Sequence, residues 1–142
     1  MHYVTRQRVH VDRIATAWAI RRFVDPTATF EFVSWRADPR RISGVPFDMR
    51  GAELSHHGGR CTLDTLIDKH ELADDALRRM AAIIRAADLP QEEALVPEAT
   101  GIRAIFDGIR DASASDEERL DRGFIVCDAL YAYCRSNQEV SS

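Results

Sequence analysis

"VDRIATAWAIRRFVDP", residues 11–26, runs directly into "TATFEFVSW", residues 27–35, and this junction decides the fold class. In the first stretch Ile14, Ala17, Trp18, Phe23 and Val24 supply apolar positions at helical spacing. Asp25-Pro26 ends the run, because a residue before proline is disfavoured in the helical region. The spacing predicts a helix from Asp12 to about Val24. In the second stretch Phe30 and Phe32 alternate with Thr29, Glu31 and Val33 among β-branched and aromatic side chains, which predicts a strand over 27–35. With helical patterns dominating everything further on, the expected class is α+β. The chain is read as a mostly helical single domain with a small β-sheet formed by its first third.

Upstream, "HYVTRQRV" (2–9) is short and β-leaning, so residues 1–10 read as a lead-in with a possible short strand. Downstream, "RADPRRISGVP" (36–46) reads as loop, and "PFDM" (46–49) as a possible second short strand. Four further helices are expected. One lies near 62–70 with Thr62 as a possible N-cap, and one near 74–88, started by Asp74 or Asp75 and stopped before Pro90. A third lies near 97–111 with Pro97 in its first turn, and the last opens on Ser115 and Glu118 in a capping-box pattern. Residues 11–135 are read as the domain and 136–142 as a flexible C-terminal tail.

A chain of 142 residues suffices for one domain with its own core. It holds no run of about 18 apolar residues, and "MHYVTRQRVHVDRI" lacks the apolar core of a signal peptide. The expectation is a cytoplasmic protein that starts at Met1 and does not engage a membrane. Cys61, Cys127 and Cys134 are odd in number and show no CxxC spacing, which argues against a disulfide framework and a zinc ribbon. Cys127 and Cys134, seven apart, fall on one buried helix face. Residues 1–60 carry ten arginines against six acidic residues, a net of +4, whereas 61–142 carry nine basic against 17 acidic, a net of −8. Only Lys69 is a lysine. Arginine grips oxyanions through a rigid fork, so the first half suits a small-anion site. Mixed signs and a net charge of −4 argue against nucleic-acid binding.

Several polar residues fall on faces that should be apolar. Asp88 continues the buried stripe of Leu77, Met80, Ala81 and Ile84 and sits at the helix end where the dipole disfavours a negative charge. It either meets a cation (an arginine or a metal) or sits at a frayed end, in solvent or capping the next turn. Asp128 borders the stripe of Leu120, Phe124, Cys127, Tyr131 and Cys134 and can share a polar site with Tyr131. Asp12 reads either as an N-cap, worth about 1 kcal/mol, or as an inward-turned ligand with Arg13 facing an anion. Arg21 or Arg22 must lie near the buried edge. The densest stretch is "GAELSHHGGRC" (51–61), where three glycines exclude a continuous helix. In an extended segment Glu53 and His57 share a face, whereas a turn at Ser55 gathers Glu53 and His56 instead; imidazole plus carboxylates is the donor set for Fe, Mn or Zn. The missing ligands must come from Asp88 and Asp12. His56 is preferred to His57 because the glycines beyond it let the loop fold back.

"VDRIATAWAIRRFVDPTATFEFV", "PFDMRGAELSHHGGRCTLDTLI", "LRRMAAIIRAADL", "PEATGIRAIFDGI" and "CDALYAYCR" occur in that order. Together they resemble the C-terminal domain of the chromate-resistance regulator (ChrB-type) family, from about Val11 to Arg135. The resemblance implies a bacterial stress-response role in chromate resistance, in some members through control of an efflux operon. Full-length members carry a further N-terminal region for DNA binding, so direct DNA binding is not expected of this chain alone. A homodimer that aligns two 36–41 arginine loops is the arrangement that would change this.

The matching blocks contain the polar groups already singled out. The expected metal set is Glu53, His56, Asp88 and Asp12 around a divalent transition metal. The expected anion set is Arg13, Arg22 and Arg60 around an oxyanion such as chromate or sulfate. His57, Cys61, Asp128 and Tyr131 are site neighbours. Three functions follow: an oxyanion-sensing or sequestering metal-binding module, a small metalloenzyme using bound water or a redox metal, or a metal-free interaction domain.

Overall fold

The computed structural model describes residues 1–89, 91 and 95–141, of which 137–141 as backbone alone. Three parallel strands, β1 (His2–Arg6), β2 (Thr29–Val33) and β3 (Val45–Pro46), pair in the order β2-β1-β3. Among the described residues five α-helices accompany them: α1 (Val11–Ala19), α2 (Thr62–Lys69), α3 (Asp75–Asp88), α4 (Pro97–Ala112) and α5 (Asp116–Ser141). The mostly helical architecture with a small sheet from the first third is thus the observed one. Among the described residues no helix is long and apolar enough to cross a membrane.

β1 is the middle strand, so residues 2–6 belong to the heart of the domain rather than to a lead-in. Tyr3, Val4, Thr5 and Arg6 are all buried, as a strand with a neighbour on each side requires. Its register sets Tyr3 opposite Phe30 and Val45. The third strand sits at Val45–Pro46 and takes in only the first residue of the "PFDM" stretch. Asp48 instead turns into the left-handed region, with φ 49°, which aspartate tolerates better than most residues.

β1, α1 and β2 form a parallel βαβ unit. α1 continues into a π-helical turn, Ile20–Val24, which ends at Asp25. α1 is buried almost all round, with Val11, Asp12, Ile14, Ala15, Trp18 and Ala19 all inside, because α2, α3 and α5 pack around it. An aspartate at its second position is therefore forced indoors. Gly123 on α5 permits close approach: a Cβ there would stand 2.4 Å from the Ile14 Cγ2 methyl. Leu63, Leu66, Leu77, Met80, Ile84 and Phe106 complete the core.

The helix starts differ in detail from expectation. α2 is capped by Cys61, not Thr62, with the Asp64 carboxylate accepting from the Cys61 N–H at 3.1 Å. Asp74 caps α3 through Leu77 N at 2.9 Å. Pro90 lies outside the described residues. Ser115 Oγ accepts from Glu118 N at 3.1 Å, while the Glu118 carboxylate reaches back to Ala114 N. α5 runs on to Ser141, so residues 136–141, expected as a tail, are helical backbone.

Candidate functional site

Parallel strands present their carboxyl ends together, and ligands of parallel sheets bind outside those ends, where the chain leaves neighbouring strands in different directions. Here β1 ends at Arg6, β2 is followed by Trp35 and β3 by Asp48, and α1 opens with Asp12 and Arg13. All these groups meet at one edge. A cavity of about 630 Å³ lies there, lined by Arg6, Arg13, Trp35, Asp48, Met49, Arg50, Ser55 and His56.

Behind Asp48 and His56 of this lining, Asp12 is 2% exposed. It does not cap its own helix. Its two carboxylate oxygens accept from Thr62 N at 2.9 Å and Leu63 N at 3.2 Å, so it caps α2 across the core. Asp48 receives the Thr62 hydroxyl at 2.7 Å, and Arg13 Nε stands 3.1 Å from its other oxygen. Arg13 also donates to the Asp48 carbonyl at 2.7 Å, holding the left-handed turn. A single imidazole nitrogen, His56 Nε2, faces three carboxylates: Asp12 at 2.9 Å, Asp48 at 3.3 Å and Asp88 at 3.5 Å.

The glycine-rich loop explains how His56 reaches this point. His57 and Arg60 exchange backbone hydrogen bonds across Gly58 and Gly59, whose φ values of 57° and 77° make a two-residue hairpin turn of the primed kind. Ser55 Oγ donates to Ala52 O at 2.8 Å, and Thr65 Oγ1 donates to Ser55 O at 2.7 Å, which fixes the residue before His56. His57 points away and bonds the Glu53 carbonyl at 2.8 Å.

The electrostatics follow from the packing. Hydrogen bonds to Asp12 and then Asp48 raise the His56 pKa to about 10, against the opposing effect of burial. Burial, followed by the charge of Asp12, raises the Asp88 carboxyl to about 6. Burial pushes Asp48 up too, but the His56 hydrogen bond, the Arg13 charge and the Thr62 hydroxyl outweigh it and hold the carboxyl below its ordinary value. Three carboxylates thus share one imidazole and one guanidinium, an arrangement with negative charge to spare. Oxygen and nitrogen atoms from Asp12, Asp48 and His56 lie within 4.8 Å of one another. Ligands about 2.1 Å from one ion stand about 3–3.5 Å apart, so the separations of Asp12 and Asp48 from His56 Nε2 suit a metal that replaces the shared proton, while Asp88 lies close to His56 but outside this group of three.

Of the residues expected from sequence, Asp12, Arg13, His56 and Asp88 converge here. Glu53 does not: it lies between buried Ala52 and Leu54, so alternation turns it outward, 79% exposed and 3.5 Å from Lys69 Nζ. Arg60 leaves the hairpin for Asp68 at 2.6 Å. Arg22 lies over the rings of Trp18, Phe23 and Tyr131 and 3.5 Å from Asp128. Asp128 accepts from Trp18 Nε1 at 2.8 Å, and Tyr131 donates to the capping residue Asp74. Cys61 is a buried helix cap whose thiol pKa burial drives far upward. Asp48, Arg6, Trp35 and Arg50 went unread in the sequence. The available signal for Asp48 was a carboxylate between a strand end and a glycine turn, in "PFDMRG".

A family model described as ChrB, C-terminal domain, matches residues 3–134, so the match takes in β1. The chain is also similar to Protein ChrB of Cupriavidus metallidurans (strain ATCC 43123 / DSM 2839 / NBRC 102507 / CH34), at 36% identity over 137 residues. That alignment covers 94% of this chain and 41% of the relative, so the chain spans under half of that relative's length. No solved structure matches. The matched span runs from within β1 through most of α5, and the chain belongs to the family of ChrB C-terminal domains.

Proposed function

We propose that this domain binds a divalent transition metal through Asp12, Asp48, His56 and Asp88 and receives an oxyanion beside it, its part in the family's link to chromate resistance. The observation that carries this reading is the convergence of three carboxylates on His56 Nε2, which with Asp48 lines an arginine-rich cavity. Carboxylate and imidazole donors suit Mn, Fe or Zn. Each carboxylate oxygen has two acceptor sites; on the Asp12 oxygen that takes Thr62 N the second site faces His56, so a metal would enter there in place of the His56 proton. The metal would supply positive charge for the anion. This chain's arginines would orient the anion, and Asp12 would tie the site to the start of α2.

A second reading is favoured by the same hydrogen bonds: protonated His56 already neutralises one carboxylate, which makes a closed, metal-free ion-pair network. Calorimetric titration of tag-free, chelator-treated protein with Mn²⁺ and Zn²⁺ separates the two. Saturable 1:1 uptake that falls at least tenfold in both His56→Ala and Asp88→Asn supports the metal centre. No uptake, or uptake unchanged in His56→Ala, leaves the network reading standing. DNA binding is assigned to the part of longer relatives that this chain does not span; a low-salt gel shift showing salt-sensitive binding by this chain would overturn that.

A further inference from the structure

We infer that the cavity takes an organic anion, an oxyanion carried on a flat ring, with the ring against Trp35 and the oxyanion in the fork of Arg50. The inference rests on the anion half of the reading above and not on its metal half. The cavity volume of about 630 Å³ falls within the roughly 300–1,000 Å³ of small-molecule sites. It amounts to roughly twenty waters at about 30 Å³ each, of which a bare tetrahedral oxyanion displaces about three.

The lining supplies an aromatic face and an open guanidinium. Trp35 is 61% exposed, yet its turn is held: Arg6 Nη1 donates to Ser34 O at 2.6 Å and Ala37 O at 2.9 Å. The guanidiniums of Arg6 and Arg13 lie 6.0 and 5.4 Å from the indole centre. A large aromatic surface held rigid and left open to a cavity is a stacking platform, since placing a ring on it costs little further ordering. Arg6 and Arg13 are committed to carbonyls and to Asp48. Arg50 lines the same cavity and makes no hydrogen bond or ion pair with any described residue, so its donors remain for a ligand. One face for a ring and one unspent fork for an oxyanion stand in one cavity.

The test compares phenyl phosphate with inorganic phosphate, by calorimetry and tryptophan fluorescence, on the full chain with and without Mn²⁺. Phenyl phosphate should bind about tenfold more tightly, the scale of one aromatic stack. Trp35→Phe should keep that preference, Trp35→Leu should erase it, and Arg50→Ala should weaken both ligands together. Both tryptophan variants alter an exposed side chain, so both should fold. Phosphate bound as tightly as phenyl phosphate overturns the inference and leaves the anion reading intact. Binding of neither ligand overturns both. A ring preference that survives in protein showing no Mn²⁺ uptake supports the inference and removes the metal half alone.

Discussion

Two corners of the molecule gather the same residue types, arginine, aspartate and tryptophan, and they differ in how the charges close. Beside α5, Trp18 donates to Asp128, Arg22 faces the same carboxylate, and the guanidinium lies 5.1 Å from the Tyr131 ring centre. One anion meets one cation over apolar rings, and Phe23 and Tyr131 pack edge-on at 5.6 Å to complete the cluster. At the carboxyl ends of the strands, three aspartates crowd one imidazole while Arg50 stands unused at the rim. Balanced charges against rings brace the fold. Unbalanced charges around a cavity keep capacity for a ligand, and maintaining that imbalance costs stability unless backbone donors share it, as Thr62 and Leu63 do with Asp12.

The largest effect should come from breaking that sharing. Asp12→Ala strands two buried N–H groups at the start of α2 and should cost about 2–4 kcal/mol in urea unfolding. Asp12→Asn, which keeps a carbonyl acceptor, should cost less. A loss under about 0.5 kcal/mol in the alanine variant would mean that Asp12 is present for its charge alone. On the α5 side, Gly123→Ala drives a methyl into Ile14 and should cost about 1–3 kcal/mol without altering Mn²⁺ affinity.

The strand-end corner should also be the more sensitive to pH. His56 has its folded pKa raised from 6.5 to about 10, so its stabilisation is full below pH 6.5 and is lost as pH rises towards 10. The ring is 44% exposed, and solvent screening leaves on the order of 1 kcal/mol. Asp88, raised to about 6, acts in the same direction over a lower window, from about 3.8 to 6. Asp48, held low, acts oppositely, losing stability as pH falls below about 3.8. Thermal melts should therefore fall in two steps above pH 4, and His56→Gln should remove the upper one. Because a metal must displace the His56 proton, the rise in Tm on adding Mn²⁺ should grow between pH 6.5 and 10. A Mn²⁺ effect independent of pH would show that the ion does not bind through His56.

Local pattern made one corner partly legible and hid the rest. Asp88 stood out because it continued the stripe of Met80, Ala81 and Ile84, and the structure buries those three. His56 stood out among glycines that do form a tight turn. Asp48 stayed hidden because its importance comes from β3 pairing with β1, a contact between residues some forty positions apart. Trp35 and Arg6 join it only through the same strand order. Glu53 was grouped with His56 by proximity along the chain, whereas the buried pair Ala52 and Leu54 on either side of it already pointed outward for Glu53. The helix starts were readable to within about a residue, since caps and periodicity are local, whereas the π-helical end of α1 and the run of α5 to Ser141 were not. The acceptors for the helices' first N–H groups were less readable: Asp12 serves a helix fifty residues away.

The smallest effect tests the other side of the comparison. Arg22 and Asp128 have side chains 45% and 58% exposed, and their 3.5 Å ion pair spans two elements rather than one helix turn. Exposed pairs of this kind contribute about 0–1 kcal/mol, and the rings beneath Arg22 add a cation–π contact at the low end of its range. Arg22→Ala should therefore lower stability by less than about 1 kcal/mol, and Asp128→Asn by less again because Trp18 Nε1 keeps an acceptor. Neither substitution should change Mn²⁺ uptake or the affinity for phenyl phosphate, since both residues lie outside the cavity lining. Urea unfolding and calorimetry on the two variants check this directly. If Arg22→Ala weakened anion binding as Arg50→Ala is expected to, the two corners would be coupled through α1, whose first turn carries Asp12 and Arg13 and whose π-helical end carries Arg22. The distinction between a braced corner and a ligand-ready one would then have to be withdrawn.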